Sequence, residues 1–193
     1  MKTRSKALLL ALCAVLLVAA SVLGTMAYLT DSKAVTNTFS VGKVGITLDE
    51  APVDAYGVVQ AGNRRDQNTY KLVPGHSYTK DPIVHVDADS ENCFLFVKIE
   101  NGIAAIEDAD NKIVDQMADK GWMPVSGETD VYYYKEVCGA GFNIPVFDSF
   151  KVKSDADVAS YEGKTIVITA YAVQHDTFAS AQAAWDATFG LNP

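Results

Sequence analysis

Three histidines, two acidic runs, a cysteine pair and an aromatic cluster are the residues of this 193-residue chain that could do chemistry. A helical zinc protease site needs two histidines four residues apart beside a glutamate that serves as base. His76, His85 and His175 are the only histidines and no two are so spaced, so surface or strand-edge positions are expected for them. Asp87, Asp89 and Glu91, and again Glu107, Asp108 and Asp110, offer clustered oxygens to calcium. Neither run has the Asp-x-Asp-x-Asp-Gly spacing with a terminal Glu of a tuned calcium loop, and solvated turn acids are expected instead. Gly139-Ala140-Gly141 lacks the strand, turn and helix context of a phosphate loop. No motif matches a serine or cysteine nucleophile scheme, so no cofactor, metal or catalytic residue is assigned. Trp122 with Tyr132, Tyr133 and Tyr134 could form a sugar platform, although alternate tyrosines on a strand usually divide between core and surface.

Cys93 and Cys138 have two readings, a disulfide or two buried thiols. A bridge closing a loop of about 46 residues is worth roughly 4 kcal/mol in the chain-entropy model, and it requires Cα atoms within about 7 Å. Cys13 lies in a different setting, in the middle of an apolar run with Leu12 before it. That run, Ala7 to Ala20, follows Lys2, Arg4 and Lys6 and precedes the small-residue stretch Ser21 to Ala27. This is the layout of a secretory signal. Cleavage between Ala27 and Tyr28 is expected, leaving residues 28–193 as one domain and confining membrane contact to the time before cleavage; an uncleaved anchor is the competing reading. The removed piece carries three of the 16 basic residues and none of the 24 acidic ones, so thirteen basic residues face 24 acidic ones, a net charge of −11. Such a surface repels phosphate backbones and argues against a nucleic-acid partner.

The elements that must position these residues read as strands. Apolar residues at 35, 39 and 41, then 44, 46 and 48, change phase once at Gly42, which is the mark of a bulge or sheet-switching bend. Residues 53–71 show no clean period and read as a surface loop with room for one short irregular strand. Val73-Pro74-Gly75 marks a turn, and Pro82 suits the start of a strand through Ile83, Val84, His85 and Val86. Cys93 to Glu100 is the strongest strand signal: Cys93, Leu95, Val97 and Ile99 share an apolar face, while Phe94 and Phe96 share the other with Lys98 and Glu100. Ile113, Val114 and Met117 predict a short helix stopped by Gly121. Strands are expected at 131–135, at 144–152 interrupted by Pro145, and at 165–174, the last suited to burial on both faces. Ser180 predicts the N-cap of a closing helix that carries Ala181, Trp185 and Phe189 on one face. The sum is an all-β chain, a jelly-roll-like antiparallel β-sandwich with short helical insertions and a C-terminal helix.

An export signal leading into Ala27-Tyr28-Leu29-Thr30-Asp31-Ser32, then Asn37-Thr38-Phe39-Ser40-Val41-Gly42-Lys43-Val44, Lys80-Asp81-Pro82-Ile83-Val84 and Ala170-Tyr171-Ala172-Val173-Gln174 with the Trp185 helix, resembles the TasA and camelysin family of secreted Gram-positive proteins. The resemblance runs over nearly the whole chain. It implies processing by a signal peptidase of the SipW type, a jelly-roll fold, secretion to the extracellular matrix or cell surface, and self-association into biofilm fibres, alone or with other matrix proteins. In such fibres the freed N-terminal strand of one subunit is taken up by the sheet of the next. Here that strand would be residues 28–41, with Tyr28, Leu29, Val35, Phe39 and Val41 supplying the side chains that fit; the other reading of the stretch is that it folds back as the protein's own edge strand, and both can hold, one in the monomer and one in the fibre. The alternatives are a camelysin-type cell-surface metalloprotease, for which the histidine spacing gives no zinc motif, and a carbohydrate-binding surface module.

Overall fold

The computed structural model describes Lys6, residues 12–17 and residues 43–190. The chain divides into two units, Met1–Ser40 and Val41–Pro193. In the first, residues 12–17 are helical and exposed, and no helix among the described residues is long and apolar enough to cross a membrane.

The second unit is an all-β antiparallel sandwich. Its strands are β1 (Ile46–Asp49), β2 (Ser77–Thr79), β3 (Ile83–Val86), β4 (Cys93–Asn101), β5 (Trp122–Pro124), β6 (Val131–Tyr134), β7 (Asn143–Pro145), β8 (Ser149–Lys151) and β9 (Ile166–Gln174); the helices are α1 (Ile113–Asp119) and α2 (Ala181–Thr188). One sheet has the order β1-β3-β7, a second β5-β6-β4-β9, and β2 pairs with β8. All pairs are antiparallel, and β4 and β9 match over nine residues from Cys93 opposite Gln174 to Asn101 opposite Ile166.

Period-2 alternation sets the layers. Val84, Val86 and Ile144 of the first sheet and Cys93, Leu95, Val97 and Ile99 of β4 point into one core, closed by Tyr78, Phe150, Trp122 and, from α1, Ile113 and Met117. The opposite face of β4 places Phe94 and Phe96 in a second, smaller core with Val125, Val131, Val173 and Trp185. Lys98 and Glu100, farther along that face, are half-buried and exposed respectively. The change from covered to wet follows the side-chain types along β4.

The helix α2 covers the second core. Ser180 Oγ accepts from the Ala183 N–H at 3.2 Å, the N-cap bond expected from the residue type, and Ala181, Ala184 and Trp185 form its buried face. Trp185 meets Phe96, Tyr171 and Phe189. The helix α1 ends at Gly121, whose φ of 95° lies in the left-handed region that a helix C-terminus favours for glycine. Only Ile113 and Met117 of its apolar residues face inward; Val114 is exposed.

One expectation is corrected. The segment 165–174 reads in sequence as buried on both faces, but β9 lies at the edge of its sheet, with Val167 and Thr169 exposed and only Val173 buried. The run Ile166-Val167-Ile168 matches a doubly covered strand in composition, while α2 covers only the far end of the sheet's outer face.

Candidate functional site

Two features meet at one flank of the sandwich. β1 is the edge of one sheet and β9 the edge of the other, and Cα atoms of the two come within 8 Å of each other. Among the described residues β9 pairs with β4 alone, so the backbone donors and acceptors that alternate residues direct to its far side have no strand partner among them. At the start of β9 a cavity of about 790 Å³ opens between the end of β1, the 66–72 loop and the 158–165 turn. Leu48, Tyr70, Leu72, Phe150, Ile166 and Ile168 give it an apolar lining.

The 66–72 wall is held by specific bonds. Tyr78, fully buried, donates its hydroxyl proton to the Lys71 carbonyl at 2.6 Å and accepts from the Val73 N–H at 2.7 Å. Its ring stacks on Phe150 at 4.7 Å between centroids. Tyr70 donates to the Thr79 carbonyl at 3.1 Å; burial, together with the nearby Glu50 and Asp81 charges, pushes its phenol well above the usual range.

Charged side chains close the same end. Lys80 Nζ lies 2.5 Å from Glu50 Oε2, and the two residues are only 8% and 3% exposed. Asn68 Nδ2 donates to Glu50 Oε1 at 3.0 Å and to the Ala51 carbonyl at 2.8 Å, while Asn68 Oδ1 accepts from the Val53 N–H at 3.0 Å. Outside this pair, Arg64 spans Asp49 at 2.5 Å and Asp81 at 2.9 Å. His85 joins the network through Asp49 and Asn143. Burial would raise the Asp49 carboxyl, but the Arg64 and His85 contacts outweigh it and hold the group below its ordinary range.

The residues singled out in the sequence fall in separate places. Ala27, Tyr28, Leu29, Val35, Phe39 and Val41 lie outside the described residues. Cys93 and Cys138 come together: they face each other as an isolated antiparallel pair, exchanging backbone bonds of 2.8 and 2.9 Å. Such a pair has Cα atoms about 5.5 Å apart, inside the range a bridge needs. Both are free thiols in this structure and both are buried. Burial pushes the Cys93 thiol up to about 11, and burial plus the neighbouring Cys93 pushes Cys138 up to about 12.

The histidines remain apart in their bonding. His76 Nε2 is 2.9 Å from the Tyr56 carbonyl, and His175 Nδ1 is 3.0 Å from Asp176. Among the described residues no three His, Cys, Asp or Glu side chains come together as metal ligands would. In the two acidic runs, Asp89 pairs with Lys43, Glu91 accepts from Gln174, Asp108 pairs with Lys151, and Glu107 turns inward to accept from the Ile113 N–H. Trp122 is 2% exposed and donates to the Pro145 carbonyl, so it presents no face to a sugar. Tyr132 and Tyr134 pack on the main core and Tyr133 on the second.

Sequence reading missed the Glu50, Asn68 and Lys80 cluster. Asn68 stands in a stretch without periodicity, Glu50 at the end of the 44, 46 and 48 alternation where an acid reads as a strand end, and Lys80 just before the Pro82 strand start. No family model, curated protein or solved structure matches the chain.

Proposed function

We propose that this protein is a secreted structural subunit that assembles into extracellular fibres by donating its N-terminal strand. A signal peptidase of the SipW type frees residue 28, and residues 28–41 of one copy pair with the edge of β9 in the next that has no partner among the described residues. The observation that carries the reading is that edge: among the described residues, nine consecutive residues of β9 are paired on one side only. An added strand satisfies such a row of donors and acceptors and removes an aggregation-prone edge, while alternate side chains supply the fit.

The cavity at the start of β9 favours the same occupant. Its apolar wall suits the side chains of Leu29, Val35, Phe39 and Val41, which fall at odd positions and alternate with the polar Thr30, Thr36, Thr38 and Ser40, while Tyr28 falls on the other face. A strand that pairs along β9 can lower its large residues into that opening. No chemical step is assigned to the subunit.

Electron microscopy of the purified mature protein, beside a form lacking residues 28–41, tests the proposal. Fibres are expected from the mature protein and none from the shortened one. Equal assembly by both would defeat strand donation. Addition of a peptide spanning residues 28–41 to the shortened form is expected to protect the β9 amides from hydrogen exchange.

A further inference from the structure

We infer that Lys80 and Asn68 form an intramolecular isopeptide bond, with Glu50 carrying the protons, independently of any assembly. Three features of the cluster support it together. The amine and the amide hang on the two oxygens of one carboxylate: Lys80 Nζ on Oε2 at 2.5 Å and Asn68 Nδ2 on Oε1 at 3.0 Å. The amide is oriented without ambiguity, because its NH₂ faces two acceptors, Glu50 and the Ala51 carbonyl, and its oxygen faces a donor, the Val53 N–H. Finally, Glu50 and Lys80 are withdrawn from water, in surroundings that disfavour separated charges.

Each partner then has a role. Proton transfer from Nζ to Glu50 leaves a neutral amine, the nucleophilic form of lysine. Its lone pair attacks Asn68 Cγ and forms the new C–N bond, and the charge that develops on Oδ1 is stabilised by the Val53 N–H, the position of an oxyanion donor. Glu50 returns a proton to Nδ2 and takes a second one from Nζ. The C–Nδ2 bond breaks as the carbonyl re-forms, and ammonia leaves, carrying Glu50's remaining proton as ammonium. Glu50 ends as the carboxylate it was. The step consumes no oxidant, reductant or outside reactant.

The backbone holds the reactants in place. Glu50 exchanges bonds of 2.7 and 2.8 Å with Arg65, and the Lys80 N–H donates to the Asp148 carbonyl at 3.1 Å. Holding nucleophile and electrophile on one carboxylate makes the attack intramolecular and removes the entropic cost of bringing them together. The product would join the 66–72 wall of the cavity covalently to the strand entry at Pro82.

Intact mass spectrometry of the purified, folded and reduced protein tests this. The expected mass is one ammonia below that of the sequence, and trypsin is expected to release a branched peptide joining residues 66–71 to residues 72–98, because a linked Lys80 is not cut. Glu50→Gln and Lys80→Arg are expected to return the full sequence mass and a free 66–71 peptide. A wild-type protein at full mass with that peptide free overturns the inference. So does a missing ammonia traced to a cyclised Asn101 beside Gly102, since the branched peptide would then be absent.

Discussion

His85 Nε2 lies 2.9 Å from Asp49 Oδ1, while its Nδ1 faces the Asn143 side-chain oxygen. With an oxygen acceptor at each ring nitrogen, the doubly protonated imidazolium is the form that satisfies both contacts. Burial works against the charge, but the Asn143 and Asp49 bonds prevail and raise the His85 value above its ordinary 6.5. A histidine raised on folding stabilises the native state fully below its unfolded value, and that contribution is lost as pH climbs through the folded one. The urea midpoint of the wild type is therefore expected to exceed that of His85→Gln below pH 6.5, and the gap to close at alkaline pH. Asp49 runs the other way: its value is lowered from 3.8, so its contribution is present above that pH and lost as acid takes the pH through the folded value. A His85→Gln gap that stays constant with pH would show that folding leaves the His85 value unshifted.

The C-terminal helix offers a graded series. Trp185 is 6% exposed and bonds through Nε1 to Glu128 at 3.0 Å, so Trp185→Ala is expected to cost about 3–5 kcal/mol. Ser180→Ala removes only the cap and should cost about 1 kcal/mol. Phe189 is 38% exposed and its truncation is expected to cost less than that of Trp185. Chemical denaturation measures all three; equal, small losses would mean that α2 is undocked in solution.

Cys93 and Cys138 predict two thiol behaviours. Buried and held protonated at neutral pH by values of about 11 and 12, they should resist alkylation in the folded reduced protein and react once it is unfolded. Slow exposure to a small disulfide oxidant is expected to give a monomer lighter by two hydrogens, because each thiol's nearest cysteine is in its own chain. Disulfide-linked dimers through these residues would contradict the pairing seen here.

What could be read from the sequence depended on periodicity. The two faces of β4 were legible because the change from Phe94 and Phe96 to Lys98 and Glu100 occurs within one alternating run, and Ser180 because an N-cap is a local, two-residue bond. β2 and β5, at three residues each, are too short for an alternation to register. The edge position of β9 was hidden, since being outermost is decided by which strands lie beside it and not by its own apolar content. The Glu50, Asn68 and Lys80 cluster was hidden for a related reason: residues 18 and 30 positions apart meet only after the loop has wrapped back over β1. The Cys93 and Cys138 separation, open in the sequence, is decided by a single backbone bridge.

The nine-residue register between β4 and β9 has a mechanical consequence. Bonds between antiparallel strands stand perpendicular to the strand direction, so a pull along β9 loads the rungs from Cys93–Gln174 to Asn101–Ile166 together, in shear, instead of peeling them one after another. Tension entering the domain through that strand would meet its most rupture-resistant axis.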